Sequence, residues 1–400
     1  MRSRRARAGM GEDGAVPERL TGAGVGGLDD ASTEPSPSTE PLPPPSADHR
    51  QAGPVRSSLR TASAAVTALL VLVMLTPAAP YAIEWPGPTV DTLGEVDGEP
   101  LIDVAGAPTY PTEGSLALTT VYSRGGPRNP VDFLRVVGAW LSPTHTVVPA
   151  EVVYPRELSP EDYADRLAAQ MTTSQEDATV AALTELGYEV PAELAVVGTV
   201  PASGAVGVLA AGDVVRAVGG RELATFQALV DVLASTPPGT SLPLEVDRAG
   251  ERVEVRVLTG DDDEGGSVLG VFFDPAFDLP VDVELRIDDV GGPSAGLMFA
   301  LGIIDVLTPG ALTGGVDVAG TGTIAVDGAV GQISGTRLKV AAAQRDGADF
   351  FLAPLENCEE AERALSDGPR VVGVGTLEQA RDAVAAIGDG RVEDLPGCQV

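Results

Sequence analysis

Hydrophobic positions are spread unevenly along the 400 residues. Residues 1–60 show no apolar period. Their core, STEPSPSTEPLPPPSAD, is too rich in Pro, Ser, Thr and Glu to bury a surface, so a disordered tail is expected. Residues 61–83, TASAAVTALLVLVMLTPAAPYAI, then run without a charge, long enough for a helix to cross about 30 Å of hydrocarbon. Arg50, Arg56 and Arg60 precede this stretch, and Glu84, Asp91, Glu95, Asp97 and Glu99 follow it. The positive-inside rule therefore predicts a single-pass transmembrane helix in the cell membrane, with a cytoplasmic N-terminus and everything after residue 84 outside. A cleaved signal peptide fits less well: the leader exceeds an n-region, and Pro80 spoils a small-x-small site ending at Ala82.

Beyond the apolar run the pattern changes period. In residues 84–190, SLALTTVYS (115–123) reads as a strand. The segment 159–187 reads as a helix with Ser159 as N-cap, Pro160 at N1 and acids in the first turn. Residues 191–260 are strand-rich: LAVVGTV, DVVRAVGG, an amphipathic helix in TFQALVDVLAS, and a hairpin in SLPLEVDRAGERVEVRVL turning at Ala249-Gly250. From 265 to 390 strands and helices alternate, which predicts an α/β (α+β) domain.

Composition narrows the chemistry. The net charge of −32 argues against nucleic acid, which needs a basic patch. The only histidines are His49 and His145, and His145 sits in a turn-like surface context. Two cysteines, Cys358 and Cys398, are too few for a Cys/His metal site; no metal or cofactor is expected. Outside a membrane the pair is expected to form a disulfide.

Of the 26 basic residues one is lysine, Lys339. Helical spacing groups Arg337, Ala341, Gln344 and Arg345 on one side and turns Lys339 inward with Thr336, Ala342 and Ala343. Burial lowers a lysine pKa and makes a neutral amine available near pH 7, a task closed to arginine. Ser294 follows Gly291, Gly292 and Pro293 at the start of a helix with no charged residue as far as Ile304. It is the candidate nucleophile of a Ser-Lys dyad, with backbone N–H groups from Gly292 to Ala295 as candidate oxyanion donors. Thr321 is a candidate for orienting the amine. Asp288 and Asp289 stand close enough in sequence to orient Lys339 or to lock it in an ion pair.

Two blocks carry a family resemblance. GGPSAGLMFAL and GTGTIAVDGAVGQISGTRLKVAAAQRDGADFFLAPLEN resemble the proteolytic domain of Lon-type serine proteases, with the Gly-Pro-Ser-Ala-Gly motif on 292–296, its Thr-Gly strand on Thr321-Gly322 and the catalytic lysine on Lys339. VPASGAVGVLAAGDVVRAVGGREL resembles the bacterial PDZ signature. Anchor, PDZ and protease block in this order resemble membrane-anchored, PDZ-containing Lon-like proteases. That resemblance implies a PDZ domain inserted into the protease fold, with residues 84–190 contributing to the latter, and a homo-oligomer in the form of a hexameric ring. It also implies ATP-independent cleavage of protein or peptide substrates. The PDZ domain would capture extended or C-terminal segments beside the helix 225–234, with a carboxylate-receiving loop near 185–190. The sole lysine follows Leu338, so the chain has no phosphate-binding loop of the Walker type. The alternative is a non-catalytic PDZ adaptor with a protease-like fold.

Overall fold

The computed structural model describes residues 55–75, 78–261, 266–287, 290–364 and 367–398. The expected tail, up to residue 54, lies outside the described residues. Contacts divide the chain into 1–62 and 63–400; of the first part the described residues, 55–62, are the opening turns of helix α1 (Val55–Leu75). Among the described residues no helix is long and apolar enough to cross a membrane. The expected span 61–83 is corrected accordingly. The helix starts earlier, taking in Arg56 and Arg60, and ends at Leu75. Tyr81–Ile83 instead form the start of strand β1 (Tyr81–Asp91), where their backbone groups pair with another strand. Pro80, lacking an N–H, suits the boundary between the two.

In chain order the main elements that follow are β2 (Ser115–Arg124), α2 (Phe133–Trp140), β3 (Thr146–Pro149), α3 (Pro160–Glu185), β4 (Ala192–Thr199), β5 (Val214–Val218) and α4 (Phe226–Ala234). Then come β6 (Ser241–Arg248), β7 (Glu251–Leu258), β8 (Val271–Phe277), α5 (Gly296–Leu307), β9 (Asp317–Gly320), α6 (Thr336–Arg345), β10 (Phe350–Pro354), α7 (Leu355–Glu362), β11 (Arg370–Val374) and α8 (Leu377–Gly388).

Two sheets organise them. The larger runs β11-β10-β9-β2-β1-β3. Its β11, β10, β9 and β2 are parallel, while β1 pairs antiparallel with β2 and β3. A strand from residues 115–124 therefore lies at the centre of a sheet whose other half begins 200 residues later. Helix α5 packs beneath it: all but one of its residues are buried, and Leu297, Met298, Phe299 and Leu301 are fully enclosed. A helix apolar on nearly every side has to be surrounded; its one charged residue, Asp305, is buried as well and accepts from Leu312 N (2.9 Å). Helix α3 lies against α5, and its start carries the predicted cap: Ser159 and Asp162 form a reciprocal capping box with Pro160 at N1.

The second sheet runs β7-β6-β5-β4-β8 and has its own core around Leu194, Val218, Leu229 and Val246. Its edge strand β8 corrects the expected border between 260 and 265: Val271–Phe277 pair antiparallel with Ala192–Thr199 and belong to this sheet. Local patterning stops at the 241–258 hairpin, whereas the partner of β4 comes about 80 residues after it. The two necks of the module meet where the Asp278 N–H donates to Pro191 O (2.9 Å). The strand that follows, Asp282–Leu285, forms a separate ribbon with Ile102–Ala105.

Candidate active site

Ser294 and Lys339 reach one another from two elements with different constraints. Ser294 precedes α5, after a turn in which Gly292 has φ +87°, a left-handed value that favours glycine. Gly296, one turn on, allows α5 to approach α3 closely; a Cβ there would stand 2.7 Å from Ile324 Cγ2 and 2.8 Å from Ser174 Oγ. Ser174 also donates to Pro293 O (3.0 Å), tying the turn to α3.

Lys339 lies in the first turn of α6. Thr336, Leu338, Lys339, Val340, Ala342 and Ala343 are buried, while Arg337, Gln344 and Arg345 are exposed, as the helical spacing predicts. Asn357 of α7 clamps the approach to this helix. Its side chain accepts from Ile333 N and donates to Ile333 O and to Thr336 Oγ1.

The Lys339 side chain is 4% exposed. Its Nζ lies 2.6 Å from Ser294 Oγ and 2.8 Å from Thr321 Oγ1. Thr321 is fully buried, and its hydroxyl donates to Ser294 O (2.9 Å). A threonine hydroxyl has one proton, so with that proton engaged Thr321 accepts from the lysine. One N–H is thereby fixed on Thr321, and the rest of the amine is left facing Ser294. No salt bridge to Lys339 exists among the described residues, and burial pulls its pKa down from 10.5 to about 7.

The oxyanion expectation needs correction at Gly292. Its N–H already donates to Leu167 O (3.2 Å), so Gly292 serves the turn instead. Among the described residues the backbone N–H groups of Ser294 and Ala295, just ahead of the helix, have no acceptor; these are the donors the geometry leaves open. Asp288 and Asp289 lie outside the described residues. His145 stacks on Trp85 (6.1 Å between rings) and bonds Ser142 Oγ through Nδ1 (2.8 Å); neither residue belongs to the dyad. Cys358 and Cys398 form a disulfide with their Cα atoms 5.2 Å apart.

Sequence reasoning missed Ser174 and Asn357. Each acts on backbone groups far away in sequence, 119 residues on for Ser174 and 24 back for Asn357, so no local pattern announces them.

The comparison with known proteins falls on this same region. Residues 288–374 match the family model of the Lon protease (S16) C-terminal proteolytic domain. The match takes in Ser294, Thr321 and Lys339 and stops at the end of β11. Solved structures similar to a fifth of the chain include PDZ domains of SdrC-like proteins. That from Listeria monocytogenes is 18% identical over 20% of this chain and 85% of its own, with a TM-score of 0.19. That from Listeria innocua is 20% identical over 20% and 92%, with a TM-score of 0.20. A Geobacillus thermodenitrificans protein is 22% identical over 20% and 94%, with a TM-score of 0.19.

A cavity of about 550 Å³ lies in the β-rich module between α4 and the chain at 268–273. Phe226, Leu229, Val230 and Leu233 face Val268, Leu269 and Val271 across it. The loop expected near 185–190 is elsewhere: Tyr188, Glu189 and Val190 line a smaller, separate cavity of about 200 Å³ with Thr225, Phe226 and Gln227. The segment beside the larger groove, 267–270, leads into β8, the edge of the sheet.

Proposed function

We propose that the protein is an ATP-independent endopeptidase in which Ser294 is the nucleophile and Lys339 the general base. The observation that carries this reading is the 2.6 Å approach of a buried amine, without an ion-pair partner among the described residues, to the Ser294 hydroxyl. Neutral Lys339 takes the hydroxyl proton as Ser294 Oγ attacks the scissile carbonyl carbon. The N–H groups of Ser294 and Ala295 receive the developing oxyanion. The lysine then gives its proton to the leaving amine, and the acyl-serine ester is hydrolysed by a water that Lys339 deprotonates in turn.

The module's groove supplies capture. An extended peptide adds as a strand to the open edge of β8 and sets alternate side chains between it and α4. Its occupants are substrate proteins, with an exposed or C-terminal segment. The subunits work as a homo-oligomer, in the ring that the Lon-type resemblance implies. The body operates outside the cytoplasm at a membrane; the Cys358–Cys398 disulfide supports an oxidising compartment.

The test is hydrolysis of unfolded casein by the purified chain. Wild type cleaves it, while Ser294→Ala and Lys339→Arg each fall by about a thousandfold or more. Equal cleavage by all three would reject the dyad.

A further inference from the structure

Helix α2 has the wrong surface for a helix in water. Its eight residues, FLRVVGAW, contain a single charge. One side buries Val136 and Ala139 against Ala79, Ile83 and Val131. The opposite side should be polar. It instead presents Leu134 (56% exposed), Val137, Trp140 (66%) and, just past the helix, Leu141 (82%).

Two further observations identify what covers it. The first is continuity. Among the described residues after α1, in which Val66, Leu69, Leu70, Val71 and Leu72 are exposed, the chain resumes at Ala78. Ala78 bridges Asp132, the N-cap of α2, and Ala79 N donates to Val131 O. The apolar stretch thus enters the folded body beside α2. The second is charge. In a chain of net charge −32, residues 114–150 carry three arginines, Arg124, Arg128 and Arg135, against one acid, Asp132. All three arginines are exposed, and Arg124 and Arg135 line one shallow cavity with Gly138 of α2. Cationic residues beside an apolar helix carrying an exposed tryptophan match the boundary of an anionic bilayer.

We infer that α2 is a lipid-surface contact. Leu134, Val137, Trp140 and Leu141 enter the headgroup–acyl boundary, and the arginines meet anionic headgroups. This rests on the membrane location in the reading above and not on the Ser294 chemistry, which casein hydrolysis by the same samples reports separately.

The chain has two tryptophans, so Trp85→Phe leaves Trp140 as the only one. Full-length Trp85→Phe protein is mixed with phosphatidylcholine vesicles, with and without phosphatidylglycerol. Trp140 emission shifts to the blue and is quenched by lipids brominated on the acyl chain. Both effects strengthen with phosphatidylglycerol and weaken at about 1 M salt. In Leu134→Glu/Leu141→Glu protein the quenching falls about tenfold. Vesicles that float with the protein while Trp140 stays unquenched overturn the inference, as does failure to float with either vesicle. A blue shift that follows protein concentration without lipid overturns it in favour of a second copy.

Discussion

An ammonium group held away from water sets the working pH of the candidate site. Lys339 is ordinarily protonated up to 10.5, and burial brings that value to about 7. The fraction of neutral amine therefore rises through pH 7, so kcat/KM should climb between pH 6 and 8 and level off above. A flat profile over that range contradicts the assignment of the base. The same shift acts on stability with a definite sign. Between pH 7 and 10.5 the unfolded chain holds a proton that the folded chain lacks, so stability rises with pH across this window. Below pH 7 the burial cost, on the order of 5 kcal/mol, is fully present. Lys339→Met should thus be inactive but melt higher than wild type at pH 6, with the gain shrinking by pH 9. Thr321→Val removes the acceptor that fixes the amine. It should lower kcat about tenfold with little change in KM, because the contact orients the base and touches no substrate. The closeness of Ser294 and Lys339 was legible because each has a sequence signature: a serine after Gly-Gly-Pro before an apolar run reaching Ile304, and a lysine without equals. Gly292 was misread because a glycine before a helix can serve a turn or an oxyanion, and only its bond to Leu167 O separates the two.

Among the elements, those with strong local signals were readable: the capping box of α3, the period of α6 and the turn of the 241–258 hairpin. What escaped were pairings between distant segments. Residues 81–83 look as apolar as the helix before them, and only the register Tyr81↔Pro149 makes them a strand. Two elements also hold the approach to α6. The Asn357 side chain makes three hydrogen bonds from α7, so Asn357→Ala should cost about 1–3 kcal/mol and lower the casein rate together with the melting temperature. The disulfide joins α7 to the described C-terminal segment across 40 residues. Cys398→Ser should cost about 2–4 kcal/mol in denaturant unfolding, and reductant should produce the same loss in wild type while leaving the variant unchanged.

For the whole molecule, the α/β character was readable from alternating periods, whereas the interruption of one module by the other was expected from the family resemblance alone, because no local pattern pairs strands 200 residues apart. β2, lying before the interruption, and β9, lying after it, pair in parallel through Leu116↔Val318 and Leu118↔Gly320. The second module is an excursion between α3 and the ribbon at 282–285, with its own core. Replacing residues 192–277 by a short Gly-Ser linker should leave a folded chain that still cuts unfolded casein. It should lose its preference for any peptide that binds the α4–β8 groove. An unfolded product would mean that the larger sheet depends on the insertion.

A single hydrogen bond between Pro191 and Asp278 marks the place where this excursion departs and returns. A chain that leaves and rejoins at one point lets an ancestor acquire, exchange or discard the inserted module in one recombination event, without altering the strand order of the larger sheet. Selectivity and hydrolysis can then diversify on separate evolutionary clocks.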